Sequence, residues 1–141
     1  MYRKILVALE NGRADQSLLP HIRELARLHG SELLLVHVAD GWAARNFEAL
    51  KLTESDEIRA DRQYLEATAT DLRSAGLTVN LRLPMGDPAT EILRTAEAEH
   101  CDLIAMTTHG HRFIGDLLFG STISAVRHKA TVPVLLVRAG H

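Results

Sequence analysis

Residues 102–123 read DLIAMTTHGHRFIGDLLFGSTI, and the fold follows from how this stretch changes character along its length. Leu103 to Met106 is a short apolar run, read as a buried strand. Thr107-Thr108-His109-Gly110 is polar and punctuated by glycine. A helix is expected to begin near Gly120-Ser121, with Ser121 a competent N-cap. Strand, glycine-bearing loop and helix start together can hold a phosphate. Glycine lets backbone N–H groups approach closely, and a helix start adds unpaired donors and a partial positive charge.

The flanking chain repeats the strand–helix alternation. Lys4 to Glu10 (KILVALE) is a continuous apolar run suited to a strand covered on both faces. Asn11-Gly12 breaks it. A helix follows, capped by Asp15 or Ser17, with Leu18, Ile22, Leu25 and Ala26 at helical spacing; Pro20 favours the Ser17 start because proline suits only a first turn. Gly30 ends that helix. Ser31 to Val38 (SELLLVHV) is a second buried strand, and Asp40-Gly41 opens an excursion holding Trp42 and Phe47, aromatics expected to cover a sheet edge. A long helix runs from about Thr53 to Ser74, and Gly76 stops it. Leu77 to Leu83 alternates apolar with polar, the pattern of a strand in an outer position. Asp87 and Pro88 are the N-cap and first residue of a third helix, with Ile92, Leu93 and Ala96 on its inner stripe. Arg127, His128 and Lys129 suit the end of the last helix, and Val132 to Arg138 (VPVLLVR) is the final strand.

Strands alternating with helices predict an α/β fold: one domain over 1–141, doubly wound, with a mostly parallel five-stranded sheet and helices on both faces. Ligands of such sheets bind beyond the carboxyl ends of the strands, where strand order reverses. If the first three strands form one half, that crevice lies between the first and fourth, and Glu10 faces Thr107 across it.

Composition narrows the function. The 141 residues carry a formal net charge of −2, with 46% hydrophobic and 24% charged residues. That balance suits a globular protein and argues against broad nucleic-acid binding or electrostatic attachment to a membrane. The apolar run after the basic start is too short for a signal-peptide core or a membrane span, so a cytoplasmic location is expected. Cys101 is the one cysteine and is read as a packed, inert thiol. No G-x-x-x-x-G-K-[ST] and no G-x-G-x-x-G after the first strand occur, which argues against a P-loop NTPase and a Rossmann dehydrogenase.

Thr107-x-x-Gly110, nine residues, then Gly120-Ser121 resembles the G-x-x-G-(nine residues)-G-[S/T] signature of the ATP-binding universal stress proteins. The resemblance covers the whole chain: KILVALENG, SELLLVHVAD, MGDPATEIL and VRHKATVPVLLVR are similar to that family's successive elements. It implies a Rossmann-like, adenine-nucleotide alpha-hydrolase-like fold and ATP or another adenine nucleotide as ligand. It leaves open whether Mg²⁺ or Mn²⁺ accompanies the phosphates. By position, Ala8, Leu9 and Glu10 lie by the base and Val38 meets it through its backbone. Met106, Thr107, Thr108, His109, Gly110, His111, Arg112 and Phe113 wrap the ribose and phosphates, and Gly120, Ser121, Thr122 and Ile123 supply donors to the phosphates. Two positions depart from the family pattern. Thr107 stands at the first motif glycine, adding a Cβ, and Glu10 stands for the usual aspartate, adding a methylene. Family members dimerise through the last strand, here Val132, Pro133, Val134, Leu135, Leu136 and Val137. An apolar edge strand needs such cover on physical grounds as well.

Plainer roles compete at several positions. Gly110 could be only a turn residue, and Gly120 only a close-packing position. His109, His111 and Arg112 beside a phosphate site invite a catalytic reading, but no residue that would orient a base can be named, so no catalytic residue and no metal ligand is assigned. Two readings stand: an ATP-binding regulatory module of the stress response with negligible or slow hydrolysis, and a nucleotide-free dimeric interaction protein of the same fold.

Overall fold

The computed structural model describes residues 1–40, 51–109 and 117–140. Trp42, Phe47, Gly110, His111, Arg112 and Phe113 lie outside them. The described elements, in chain order, are β1 (Lys4–Ala8), α1 (Asp15–His29), β2 (Glu32–Val36), β3 (Ala39–Asp40), α2 (Lys51–Ser74), β4 (Val79–Arg82), β5 (Met85–Gly86), α3 (Pro88–Ala98), β6 (Leu103–Thr108), α4 (Leu117–Lys129) and β7 (Val134–Arg138). The main sheet is five-stranded in the order β4-β2-β1-β6-β7, and every neighbouring pair in it is parallel. Strand order reverses between β1 and β6, as the alternation predicts.

Period-two side-chain alternation divides each central strand between two cores. Ile5, Val7, Leu33, Leu35, Leu103 and Ala105 face α1 and α2, where Leu18, Ile22, Leu65 and Ala69 meet them. Leu6, Leu34, Ile104 and Met106 face the other way, toward Ile92 and Ala96 of α3 and Val126 of α4. Both faces of β1 are therefore apolar, which is why KILVA reads as a continuous run. Cys101 is buried at the edge of the second core, and burial pushes its thiol up to about 11, as expected of an inert packing residue.

Local chemistry sets the ends. Gly30 takes the left-handed conformation at φ 65° that closes α1. Asp87 caps α3 by accepting the Thr90 N–H at 3.0 Å, with Pro88 following it. Two helix starts differ from expectation. α1 begins at Asp15, with Ala14 as its N-cap. A tight turn leads into it, Asp15, Gln16 and Ser17 N–H donating to the Gly12, Arg13 and Ala14 carbonyls at 3.1, 3.1 and 3.0 Å. Pro20 therefore lies in the second turn. Its missing N–H deprives the exposed Gln16 of a helical donor that water can replace. α4 begins at Leu117, so Ser121 lies within the helix and is not its N-cap. The helix runs on through Gly120, a residue that costs only about 1 kcal/mol relative to alanine in a helix.

β3 and β5, not anticipated, form a two-stranded parallel ladder. It continues the β2–β4 register: Val36 stands opposite Arg82 and Ala39 opposite Met85. Pro84, which has no N–H to donate, breaks the ladder between them. β7 is an edge strand whose Val134 to Val137 are half-buried. Leu135 and Val137 pack against one core and Val134 and Leu136 against the other.

Candidate functional site

The carboxyl ends of β1, β2 and β6 open onto a cleft of about 350 Å³. Ala8, Leu9 and Glu10 enter it from β1 and the residues after it, and His37, Val38 and Ala39 from the end of β2 and from β3. Met106 and Thr107 come from β6, and Thr122 and Ile123 from α4. Ile92 and Pro88 of α3, Met85 of β5 and Glu57, Ile58 and Asp61 of α2 complete the wall. The lining is mostly apolar with a few convergent polar groups, the character of a small-molecule site.

Glu10 and Thr107 meet across the reversal point. The Thr107 hydroxyl donates to Glu10 Oε2 at 2.5 Å, and His109 Nε2 lies 2.9 Å from both carboxylate oxygens. A carboxylate only accepts, so Nε2 carries the hydrogen in this pair. Thr107 belongs to β6, and the positive-φ residues other than glycine are Asn11 and His100 among the described residues. Its backbone is thus ordinary extended strand, and no positive φ is asked of the threonine that replaces the motif glycine. Thr108, the last residue of β6, pairs with Arg138 of β7, and its carbonyl accepts the Ala139 N–H at 2.8 Å.

The loop after β1 is held from below by Asp15, which is fully buried. Its carboxylate accepts the Glu10 N–H at 2.9 Å, the Gly12 N–H at 3.3 Å and the Tyr64 hydroxyl at 2.9 Å. Burial first, then this bond to Asp15, raises the Tyr64 pKa. Asn11 takes φ 56° and donates through Nδ2 to Asp61 Oδ1 at 3.0 Å. Asp61 also faces His37 Nε2 at 3.5 Å.

On the opposite side, apart from its chain neighbours and its own helix's backbone, no atom of the described residues lies within 4 Å of where a Cβ on Gly120 would stand. Among the described residues, then, Gly120 packs closely against none outside its own helix. Ser121 and Thr122 follow it on α4. No group of three or more His, Cys, Asp or Glu is placed to hold a metal among the described residues.

Of the residues singled out in the sequence, Ala8, Leu9, Glu10, Val38, Met106, Thr107, Thr122 and Ile123 converge on the cleft, and His109 joins them through Glu10. Sequence reasoning missed His37, Asp61, Met85 and Ile92. Adjacency to Val38 pointed to His37. Nothing separated Asp61 from the other charges on α2.

The sequence model of the universal stress protein family matches residues 1–138. Universal stress protein MJ0577 of Methanocaldococcus jannaschii is 29% identical across 98% of this chain and 96% of its own length. A solved structure of MJ0577 superposes with a TM-score of 0.82, covering 100% of this chain and 99% of that one. A universal stress protein of Thermus aquaticus is 33% identical across 98% of this chain and 100% of its own length. A universal stress protein from Archaeoglobus fulgidus, solved in complex with dAMP, shares the fold with a TM-score of 0.72 at 24% identity, covering 96% of this chain and 98% of that one. With the match running almost from end to end and the same fold on both sides of it, the chain belongs to the universal stress protein family.

Proposed function

We propose that the cleft binds an adenine nucleotide, ATP or a relative of it, and that the protein is a regulatory module of the stress response with negligible or slow hydrolysis. The observation that carries this is the mostly apolar cleft at the point where strand order reverses, with the Glu10 carboxylate and Thr107 meeting at it. No described neighbour crowds Gly120, so a ligand can approach its backbone there. The base lies against Val38 and between Met85 and Ile92, and the Glu10 carboxylate faces the base and ribose. Gly120, Ser121 and Thr122 face the phosphates. Because α4 starts a turn before Ser121, Ser121 contributes its hydroxyl rather than a leading N–H. The A. fulgidus protein solved with dAMP supports a nucleotide as the ligand class. Mg²⁺ or Mn²⁺ would be held through the phosphates.

A second reading has its own observation. Thr107 and His109 already satisfy Glu10 within the chain, as a nucleotide-free interaction protein would require. Titration calorimetry separates the two. Micromolar ATP affinity, about −8 kcal/mol, is expected of the purified protein, and Gly120→Val should weaken it at least about tenfold. Valine is a better helix residue than glycine and meets no described neighbour there, so the loss would not come from unfolding. A folded wild type giving no heat at high-micromolar ATP would establish the nucleotide-free reading.

In either case we infer a cytoplasmic homodimer through residues 132–137. Their strand is an uncovered edge with half-buried apolar side chains. Leu136→Lys should shift sedimentation at about ten micromolar toward monomer; a wild-type monomer there would refute the dimer.

A further inference from the structure

The β1–β2 ladder stops one rung short of where its register would carry it. Ala8 stands opposite Val36, and the Leu9 N–H donates to the Val36 carbonyl at 2.8 Å. The next rung of a parallel ladder would run from the Val38 N–H to the Leu9 carbonyl. In its place, His37 Nδ1 lies 2.9 Å from that carbonyl. A carbonyl only accepts, so Nδ1 carries the hydrogen and donates. The other ring nitrogen, Nε2, faces Asp61 Oδ2 at 3.5 Å, and the two side chains are 17% and 28% exposed. The imidazole is thus wedged between the end of β1 and α2.

The other edge of β2 accounts for the rest. The His37 N–H donates to Arg82 at 3.3 Å and the Ala39 N–H to Pro84 at 2.9 Å. Both residues turn toward β4 and β5. By alternation, Val38 between them turns toward β1, beyond the point where β1 has ended. Its N–H and C=O have no hydrogen-bond partner among the described residues, and it lines the cleft. A free donor and acceptor side by side on extended backbone form an edge that a planar heterocycle can join as a strand would.

We propose that His37 is the positioning residue for base recognition: by taking the Leu9 carbonyl, it keeps the Val38 N–H and C=O open to the edge of adenine. Adenine presents an acceptor at N1 and a donor at its 6-amino group, matching that pair. Hypoxanthine presents N1–H and O6, donor against donor and acceptor against acceptor. The bond from Nδ1 to the Leu9 carbonyl is what holds the imidazole in place. This rests on the nucleotide reading above, and the two can fail separately.

The test is the ratio of affinities for ATP and inosine triphosphate, measured by titration on wild type, His37→Phe and His37→Asn. Wild type should prefer ATP by at least about tenfold, the scale of an unpaired polar group at a binding edge. Phenylalanine keeps the ring's bulk but has no donor for Leu9, so His37→Phe should lose most of the preference, chiefly by weakening ATP. Asparagine can place an amide N–H near the position of Nδ1, so His37→Asn should restore it. A change in stability alone would shift both nucleotides together and leave the ratio untouched. An unchanged ratio in His37→Phe overturns the role of His37 while leaving nucleotide binding intact; no binding of either nucleotide to wild type overturns both. Hydrogen exchange gives a readout that needs no variant. The Val38 amide should exchange rapidly in the free protein and become protected when ATP is added. A Val38 amide already protected without nucleotide would overturn the proposal.

Discussion

Glu10 and Asp15 stand at the two ends of the same short loop, and the two carboxylates live differently. Asp15 is fully buried and takes backbone N–H groups from Glu10 and Gly12 together with the Tyr64 hydroxyl. Glu10 keeps 16% of its side chain exposed and, among the described residues, its carboxylate is held by the side chains of Thr107 and His109. Backbone donors cannot leave without unfolding the loop, whereas a hydroxyl and an imidazole can turn away at the cost of a rotamer. The first carboxylate is part of the frame; the second is held in readiness and can exchange its partners for a ligand.

The largest effect should come from breaking the frame. Asp15→Ala would leave buried donors without an acceptor, at a cost of about 3 kcal/mol. A thermal melt should then fall by about 10 °C; a fall no larger than that of a surface substitution would mean that Asp15 is not holding the loop. Glu10→Gln should do the opposite, weakening ATP about tenfold with little change in the melt. If its melt dropped as far as that of Asp15→Ala, the contrast between the two acids would collapse. Thr107→Gly removes the hydroxyl that steadies Glu10 and loosens a buried strand position, with a stability loss of about 1–2 kcal/mol. Since Thr107 is already in extended backbone, ATP affinity should stay within about threefold. Markedly tighter binding would show that the threonine obstructs the site.

Asp87 sharpens the comparison from a third side, because it caps with backbone and hydroxyl donors as a structural carboxylate does, yet at the surface. The Thr90 hydroxyl, then the Thr90 N–H, holds its pKa below the ordinary 3.8. A depressed folded value means stability that is present above the unfolded pKa and lost as pH falls through the folded one. Asp87→Ala should therefore cost about 1 kcal/mol at neutral pH, and its denaturation midpoint should converge on the wild type's in acid. A gap that stayed constant below pH 3.8 would show that the carboxylate's charge plays no part.

The sheet was legible because strands covered on both faces must be apolar where they are covered, and Ile5 to Ala8, Leu33 to Val36 and Leu103 to Met106 are. The encounter of Glu10 with Thr107 followed from topology alone, since reversal of strand order puts those two strand ends side by side. Helix starts were less legible. Whether α1 begins at Asp15 or Ser17 depends on whether Asp15 caps or reaches back to the Glu10 and Gly12 amides, where the half-buried Tyr64 hydroxyl of α2 also meets it. The roles of His37 and Asp61 were hidden for a related reason. Which of the many charges on α2 turns toward the end of β2 is set by how that helix docks, and local sequence does not encode it.

β1 is the central strand of the sheet, and one of its neighbours is β6. Where the two strands begin, the Lys4 N–H donates to Asp102, 98 residues away. On a ribosome adding roughly 5–20 residues per second, β1 leaves the exit tunnel several seconds before that neighbour exists. During this time one edge of an apolar strand has no partner in its own chain. The order of the strands, chosen by the geometry of the cleft, thus also sets an interval in every round of synthesis when the nascent chain depends on whatever else in the cell can shield that edge.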